Sequence, residues 1–400
     1  MSQLRIIAIP DIIDGSVSVP SSKSITNRAL MLKALANPNA EQPCELLDIA
    51  ASDDVNAMFN GLFNTVRGRK RVYVGAAGTA MRFLTAFLAI GQETVRLEGN
   101  ARMYERPIGL LVDALRSLGA DISYLKREDY PPLLIRGTRL HGGELTLDGS
   151  VSSQYISALL MIAPGIGGLK LTITGTPTSR PYIDMTLKLM SIWGIDAKWH
   201  GDSIVVPEGT YRDVNYRVEG DWSAAAYWVA WQHLLPMSHL RLDGVRLDSE
   251  LQGDRAIMNL LEQADAQRRL EANLSDVPDL AQTIVTYLCL KGFPFNLTGL
   301  HTLRVKETDR IAAMVTEMAK LGYRLHAGDS SLAWDGTWHE PADKRIVIDT
   351  YNDHRMAMAL SLAAVKFPGI YINNPEVVSK SYPDYWTHLR SLGAHITYDK

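Results

Sequence analysis

The sequence lacks long apolar runs, a positive net charge and a cysteine framework. No segment approaches the length that a membrane-spanning helix requires. The beginning of the chain has no basic region followed by an apolar run, so we expect no secretory signal. Two cysteines, Cys44 and Cys289, are too few for a disulfide framework and fit a reducing cytosol. A net charge of −3 is unlike that of basic, nucleic-acid-binding proteins. We therefore expect a cytoplasmic protein without membrane or nucleic-acid partners.

A repeated pattern of amphipathic helix, glycine and strand runs through the 400 residues. Each glycine fits the position after a helix, where a left-handed backbone conformation carries little steric cost. Copies spaced by roughly 60–75 residues indicate one α/β unit that is used several times. Because they occur in both halves of the chain, they favour two similar domains. The copies are Leu110–Ile122, Met185–Ala197, Ile311–Leu325, Tyr385–Ile396 and, with Ala264 replacing glycine, Ile257–Ala266.

Small hydroxyl and cationic side chains repeatedly precede apolar helices in the first half. Lys23, Ser24 and Arg28 lie where one helix starts, after two strands predicted around the Asp14-Gly15 turn. A glycine-rich turn at Gly78 opens another helix, where the backbone can approach an anion closely. Capping explains any one of these helix starts, but explains their clustering less well. Similar starts carry Arg106, Ser152, Ser153, Gln154, Ser179 and Tyr182.

The stretch from Leu303 to Arg310 concentrates charge before an amphipathic helix. Lys306 and Arg310 are four residues apart, which predicts a like-charge pair on one helical face, and free N–H groups there can bind an anion. Alternatively, the stretch is a solvated helix start with Lys306–Asp309 and Glu307–Arg310 ion pairs.

Two acidic positions stand at later helix starts. Asp279 precedes an apolar helix, so it is either a helix-dipole partner or a functional carboxylate. Asp353 and His354 could suggest a metal, but no further ligand stands at a usual spacing. We expect neither metal nor cofactor.

Together, these motifs closely resemble the 5-enolpyruvylshikimate-3-phosphate synthase family over nearly the whole chain. Each motif alone is modest evidence, whereas the complete set in this order is highly specific. The matching stretches are 22–28, 77–82, 105–108, 149–154, 181–184, 278–279, 304–310, 351–355 and 383–385.

The resemblance implies an α/β protein with two similar domains, each of three βαβαββ repeats, and an active site in the interdomain cleft. The chain would cross between domains twice, so that residues 1–20 and 219–400 form one domain and 21–218 the other. We expect a monomer.

The implied reaction transfers the enolpyruvyl group of phosphoenolpyruvate to the 5-hydroxyl of shikimate 3-phosphate. Planar guanidinium groups suit the carboxylate and phosphate oxygens of these anions. By motif position, phosphoenolpyruvate would be held by Lys23, Arg106, Gln154, Arg310, Arg355 and Lys380, close to Gly78. Shikimate 3-phosphate would be held by Ser24, Arg28, Ser152, Ser153, Ser179, Tyr182, Asp279 and Lys306.

Three of these residues have implied chemical roles. Asp279 is the candidate base for the attacking hydroxyl, and Glu307 for proton transfer at the methylene carbon. Lys23 would offset charge on the departing phosphate. Lys306 and Arg310 should lower the pKa of Glu307, which opposes its use as a proton donor unless substrate anions offset the field.

Two positions depart from the family pattern, and two other functions stay open. Ala76 replaces an asparagine found in many relatives, which bears on tolerance of the inhibitor glyphosate, and Thr302 replaces one that binds shikimate 3-phosphate in some. A UDP-N-acetylglucosamine enolpyruvyl transferase would typically carry a reactive Cys or Asp between Leu97 and Glu105, and none is present. A non-catalytic binder of phosphorylated metabolites would need the cations but not Asp279 and Glu307 together.

Overall fold

The computed structural model describes residues 2–36, 45–65, 70–149, 152–175 and 178–399. Ser150 and Val151, which belong to one of the sequence motifs, lie outside these ranges, as does Cys44. In the described ranges no helix is both long enough and apolar enough to span a bilayer.

The α-helices are short and are separated by strands along the chain. They are α1 Lys23–Ala36, α2 Asp53–Thr65, α3 Gly78–Ala89, α4 Gly109–Ser117, α5 Ser153–Ile162, α6 Arg180–Ile192, α7 Trp222–Leu234, α8 Ile257–Gln267, α9 Ala281–Lys291, α10 Arg310–Lys320, α11 His354–Ser361 and α12 Tyr385–Ser391.

The strands are two to six residues long. They are β1 Gln3–Ala8, β2 Gly15–Ser18, β3 Leu46–Leu47, β4 Arg71–Tyr73, β5 Thr94–Glu98, β6 Asp121–Tyr124, β7 Leu133–Arg136, β8 Gly143–Asp148, β9 Leu169–Thr174, β10 Lys198–His200, β11 Ser203–Val206, β12 Tyr216–Arg217, β13 Leu240–Asp243, β14 Leu270–Asn273, β15 Phe295–Thr298, β16 His326–Ala327, β17 Leu332–Trp334, β18 Val347–Ile348, β19 Ile370–Asn373 and β20 His395–Asp399.

The chain divides into two compact units. The continuous unit is Ser21–Glu219, and the split unit combines Met1–Pro20 with Gly220–Lys400. Among the residues described, each unit contains two four-stranded sheets and one two-stranded sheet.

All four larger sheets share one pairing pattern. In the order β4-β5-β7-β6 the first pair is parallel and the other two pairs are antiparallel. The orders β14-β15-β17-β16 and β8-β9-β11-β10 repeat this arrangement. The fourth sheet, β18-β19-β1-β20, repeats it with β1 in the third place. The repeated unit predicted from the helix-glycine-strand pattern is therefore confirmed.

The glycines that end the repeated helices adopt the predicted left-handed conformation. Gly119, Gly194, Gly322 and Gly393 have φ between 87° and 102°. At Gly322 the requirement is also steric, since an added Cβ would lie 1.8 Å from the carbonyl oxygen of His339.

The two opening strands form as predicted, and their partners are distant in sequence: β1 pairs with β19 and β20, and β2 pairs in parallel with β13. One local prediction was wrong. Ala264 does not replace the terminal glycine of the fifth repeat. It lies inside α8, and the left-handed residue is Arg268, with φ 53°.

Helix α7 forms the centre of the split unit. Its three tryptophans, Trp222, Trp228 and Trp231, are at most 1% exposed, which explains why the helix is apolar on every face. The indole N–H groups of Trp228 and Trp231 donate to the hydroxyls of Tyr382 and Tyr385, each at 3.1 Å. This buried helix packs against α9 and against the 3-10 turn that carries Asp279.

Candidate active site

The split unit brings six predicted site residues together at helix starts. Asp279 lies in the 3-10 turn that runs into α9, and Arg310 and Arg355 lie in the first turns of α10 and α11. Lys306 and Glu307 precede α10, and Lys380 ends a separate 3-10 turn. With Asp353 they form what we call the carboxylate-paired cluster: Asp279, Lys306, Glu307, Arg310, Asp353, Arg355 and Lys380.

Arg310 is the centre of this cluster and is 2% exposed. Its guanidinium donates to Asp279 Oδ1 at 2.9 Å and to Glu307 Oε2 at 3.0 Å. It also forms a bidentate pair with Asp353, with Nε to Oδ2 at 2.7 Å and Nη2 to Oδ1 at 3.3 Å. A planar fork of five donors allows one side chain to hold three carboxylates.

The other cations hold the same carboxylates. Arg355 Nη2 donates to Asp279 Oδ2 at 3.0 Å, and Lys306 Nζ lies 3.5 Å from Asp279 Oδ1. Lys380 Nζ donates to Glu307 Oε1 at 2.7 Å. Four cations thus share three carboxylates, and the cluster retains an excess of positive charge.

These contacts shift the ionisation of the cluster strongly. Burial disfavours the charged form of Asp279, but the cations of Arg355, Lys306 and Arg310 outweigh it and hold its pKa far below the usual range. Burial lowers the pKa of Lys306, although Asp279 opposes the shift. Burial would also lower the pKa of Arg310, but Asp353, Glu307 and Asp279 raise it further above its already high value.

A further buried carboxyl group lies near the cluster. Asp254 is 4% exposed and accepts a short hydrogen bond from Ser223 in the first turn of α7. Burial, reinforced by the negative charge of Asp279, raises the pKa of Asp254 to about 6.

Two features of the cluster differ from sequence-based expectation. Lys306 does not share a helical face with Arg310, because Asp309 caps α10 through the N–H of Ala312 and Lys306 lies in extended backbone before it. Of the two alternative ion pairs, Glu307–Arg310 forms, whereas Asp309 pairs with Arg304.

Asp353 is the missed member, fully buried as the bidentate partner of Arg310. Its sequence signals are its position before an apolar helix and its place in the matching stretch 351–355.

The continuous unit holds Arg28 in neutral surroundings. Its guanidinium donates to the hydroxyls of Thr186 at 2.7 Å and Ser157 at 3.2 Å, and to the carbonyls of Ser24 at 3.0 Å and Tyr182 at 3.1 Å. We call Ser24, Arg28, Ser157, Tyr182 and Thr186 the hydroxyl-lined cluster. No carboxylate pairs with Arg28 within the part of the chain described, and burial lowers its pKa to about 10.

The glycine-rich turn lies beside Arg106. Arg106 Nη1 donates to the carbonyl of Ala76 at 3.3 Å, so this contact does not depend on the side chain at position 76. A Cβ added to Gly78 would lie 2.6 Å from Arg106 Nη2. Gln154 Nε2 donates to the Thr79 hydroxyl at 3.2 Å, which joins the start of α5 to the same turn.

The remaining predicted residues of this unit occupy helix starts. Lys23 begins α1 and pairs with Asp54 at 3.0 Å. Ser152 caps α5 through the N–H of Gln154, followed by buried Ser153. Ser179 precedes α6 in a left-handed conformation with φ 55°. The contacts with Asp54, Thr79, Ser157 and Thr186 were not predicted, because they join stretches far apart in sequence.

In the described ranges no group of three or more His, Cys, Asp and Glu side chains could hold a metal ion. The arrangement instead offers cations, hydroxyls and ionisable carboxylates. Chemically, it can bind polyanionic ligands and move protons.

A model of the EPSP synthase (3-phosphoshikimate 1-carboxyvinyltransferase) family matches residues 7–67 and 63–389. This chain belongs to the EPSP synthase family. It is 44% identical to the 3-phosphoshikimate 1-carboxyvinyltransferase of Bacteroides fragilis strain YCH46, with 97% of each chain covered. It is 39% identical to the enzyme of that name from Photobacterium damsela subsp. piscicida, covering 96% of this chain and 97% of the relative.

The fold agrees with this family assignment. A solved EPSP synthase from Acinetobacter baumannii superposes with a TM-score of 0.77 at 20% identity, covering 100% of both chains. A second structure from the same organism gives a TM-score of 0.76 at 19% identity. The enolpyruvyl transferase fold expected from the sequence motifs is thereby confirmed.

Proposed function

We propose that this chain is a 3-phosphoshikimate 1-carboxyvinyltransferase. It transfers the enolpyruvyl group of phosphoenolpyruvate to the 5-hydroxyl of shikimate 3-phosphate and releases phosphate. The reaction belongs to the shikimate pathway of aromatic amino-acid biosynthesis.

The observation that carries the proposal is the presence of two ionisable carboxylates inside a cationic cluster. Asp279 and Glu307 contact the same guanidinium, that of Arg310, at 2.9 and 3.0 Å. A protein that only bound phosphorylated metabolites would gain affinity from the cations and lose it through these carboxylates. Carboxylates at this position are useful when protons must move in the reaction.

The residue assignments divide by substrate. Guanidinium groups present parallel N–H donors to carboxylate and phosphate oxygens, whereas lysines act as point charges. We assign phosphoenolpyruvate to Lys23, Gly78, Arg106, Gln154, Arg310, Arg355 and Lys380. We assign shikimate 3-phosphate to Ser24, Arg28, Ser152, Ser153, Ser179, Tyr182, Asp279 and Lys306.

Asp279 can act as a base only if its contacts with the surrounding cations weaken when the substrates bind. A carboxylate whose pKa is held far below the usual range is ionised but accepts a proton poorly. When substrate anions take up donors of Arg310 and Arg355, Asp279 loses part of the positive field and becomes more basic. The substrate therefore activates its own base.

The proton transfers then follow from the bonds that change. Asp279 takes the proton of the 5-hydroxyl of shikimate 3-phosphate as the hydroxyl oxygen bonds to the phosphate-bearing carbon of phosphoenolpyruvate. The adjacent methylene carbon of phosphoenolpyruvate gains a proton. Phosphate leaves as the resulting methyl group loses a proton, which restores the double bond. Glu307 is the proposed group at this carbon, and Lys23 offsets charge on the phosphate.

Phosphate release from phosphoenolpyruvate tests the proposal. Release that requires shikimate 3-phosphate supports it. Release that requires UDP-N-acetylglucosamine would identify the related transferase, and binding of both ligands without release would identify a non-catalytic binder. Asp279→Asn supplies the matched control, since it preserves shape but removes the base.

We further propose that the enzyme acts as a monomer in the cytoplasm. One chain carries every side chain assigned above, and two cysteines in 400 residues suit a reducing compartment. Light scattering after size exclusion, with and without both substrates, tests the monomer.

A further inference from the structure

A second network of charges, centred on one buried carboxylate, lies two helical turns beyond Arg310 on α10. Glu317 is completely buried, although it carries a carboxylate. It follows Arg310 by seven residues, so the two side chains project from the same face of the helix. A buried carboxylate is costly unless its hydrogen bonds are satisfied.

Both carboxylate oxygens of Glu317 accept hydrogen bonds from the segment that leads into α11. Its Oε1 accepts from the Tyr351 hydroxyl at 2.7 Å, and its Oε2 accepts from the backbone N–H of Asp349 at 3.0 Å. Lys320 Nζ reinforces both elements, with 2.8 Å to Glu317 and 2.9 Å to Asp349. The start of this segment is thus fixed to the middle of α10.

The segment has an unfavourable backbone conformation. Tyr351 and Asn352 have φ of 53° and 55°, consecutive left-handed positions in which non-glycine residues are uncommon. The turn closes with Asp353 N–H donating to the carbonyl of Thr350 at 2.8 Å. Such a turn persists only when surrounding contacts hold it.

Asp353, at the end of this turn, orients Arg310. Its carboxylate holds Arg310 Nε at 2.7 Å and caps α11 through the N–H of Arg355 at 2.9 Å. The segment 349–353 is therefore fastened to one face of α10 at two points, by Glu317 and by Arg310. We expect a change at the first point to shift the second, because both lie in the same short segment.

We propose that Glu317 and Tyr351 are positioning residues that set the guanidinium of Arg310 for the donor substrate. They act through the left-handed turn and Asp353, without touching either substrate. The proposal rests on the donor role assigned to Arg310 above.

Tyr351→Phe is the primary test, because Tyr351 is 37% exposed and the variant removes only the hydroxyl. Because the Tyr351 hydroxyl acts on Arg310 only through the turn, its loss should raise the phosphoenolpyruvate Michaelis constant about 3- to 10-fold, less than Arg310→Lys itself does. The affinity for shikimate 3-phosphate, measured by calorimetry, should stay unchanged. Glu317→Gln should act in the same direction.

Tyr287→Phe is the matched control. The Tyr287 hydroxyl also donates to a carboxylate of the split unit, that of Asp265, but Asp265 contacts His233 and Lys291. Tyr287→Phe should change neither the phosphoenolpyruvate Michaelis constant nor the affinity for shikimate 3-phosphate. If Tyr351→Phe and Tyr287→Phe weakened the binding of both ligands equally, the proposal would be overturned, because the effect would then be a general loss of stability in the split unit. An unchanged donor Michaelis constant for Tyr351→Phe would also overturn it.

Double variants with Arg310→Lys separate this inference from the proposed function. If Tyr351 acts through Arg310, Tyr351→Phe should add little to the donor effect of Arg310→Lys. The same cycle measured by urea unfolding needs no substrate, and fully additive effects on stability would overturn the connection. Absence of acceptor-dependent phosphate release from the unaltered chain would instead refute the proposed function alone.

Discussion

The two cation clusters differ in what surrounds their arginines. Arg310 in the carboxylate-paired cluster holds three carboxylates, whereas Arg28 in the hydroxyl-lined cluster donates to neutral oxygens. The pKa values follow this difference. Carboxylates raise the pKa of Arg310, and burial among neutral groups lowers that of Arg28 to about 10.

The difference indicates two ways of preparing for an anion. Around Arg28 the guanidinium is oriented by neutral oxygens, and under the proposed assignment the phosphate of shikimate 3-phosphate would supply a counter-charge. Around Arg310 the protein supplies counter-charges itself, so under the proposed assignment an anionic substrate would compete for the donors. That competition would weaken substrate binding and would make Asp279 more basic when the substrate binds.

Asp279→Asn should have the largest effect, because it removes the competing charge and the base together. Turnover should fall about 10²–10⁴-fold, the usual cost of losing a general base. Binding of phosphoenolpyruvate should be unchanged or tighter, since Arg310 and Arg355 lose an internal anion. Steady-state rates and Michaelis constants measure both. Near-normal turnover would remove Asp279 from the mechanism.

Arg310→Lys should weaken phosphoenolpyruvate binding while preserving that of shikimate 3-phosphate. An ammonium cannot supply parallel N–H bonds, and a lost charge-assisted hydrogen bond costs roughly 1.5–3 kcal/mol, or about 10- to 150-fold in affinity. Arg304→Lys is the local control, since Arg304 pairs with Asp309 outside the cluster. Equal losses for both ligands would point to general damage and erase the contrast with Arg28.

Asp254→Asn should reveal the cost of one more buried carboxylate in the same unit. Burial raises the folded-state pKa of Asp254 to about 6, above an unfolded value of about 3.9, so its ionised form opposes folding. The penalty is absent below about pH 4 and complete above about pH 6. Relative to the unaltered chain, the variant should gain about 2–3 kcal/mol of unfolding free energy between these limits.

Urea titrations between pH 4 and pH 7.5, followed by tryptophan fluorescence, measure this gain. The amide oxygen of Asp254→Asn can still accept from the Ser223 hydroxyl, and the prediction is tested by the difference in slope between the variant and the unaltered chain. For Asp279 the contribution to the pH dependence of stability has the opposite sign. Its depressed pKa contributes stability above the unfolded value, and that stability is lost as pH falls. Parallel slopes for Asp254→Asn and the unaltered chain would contradict the prediction.

Gly78→Ala should have the smallest effect and tests Arg106, which no described carboxylate holds. The added methyl would lie 2.6 Å from Arg106 Nη2, so the guanidinium must shift. The donor Michaelis constant should rise about 5- to 10-fold, equivalent to roughly 1 kcal/mol. Stability should not fall, because Gly78 begins α3 and alanine favours a helix. Gly165→Ala, where an added Cβ meets nothing within 4 Å, is the control.

The sequence predicted helix starts well and contacts between them poorly. Asp309 and Ser152 stand before apolar periodic runs, and both cap the helices that follow. The pairs Arg310–Asp353 and Lys23–Asp54 join different helix starts, and no local periodicity encodes which starts meet. The opening strands show the same limit, since their composition predicted strands but not the distant partners that β1 and β2 take.

Lys306 shows how a single cap changes a prediction. Four-residue spacing places two side chains on one face only if the intervening residues are helical. Asp309 is the cap, so α10 begins one residue later and Lys306 is free of the helical register. It reaches Asp279 instead of aligning with Arg310.

The position of β1 between β19 and β20 in the sheet β18-β19-β1-β20 has a consequence for biosynthesis. Strand β1 precedes the whole continuous unit in the chain, yet both of its partners, β19 and β20, follow that unit. The continuous unit, Ser21–Glu219, can complete its sheets while the ribosome is still adding residues. The split unit cannot, because β1 must wait unpaired until β19 and β20 have been translated. Its unpaired edges are therefore a segment that a nascent-chain chaperone would protect.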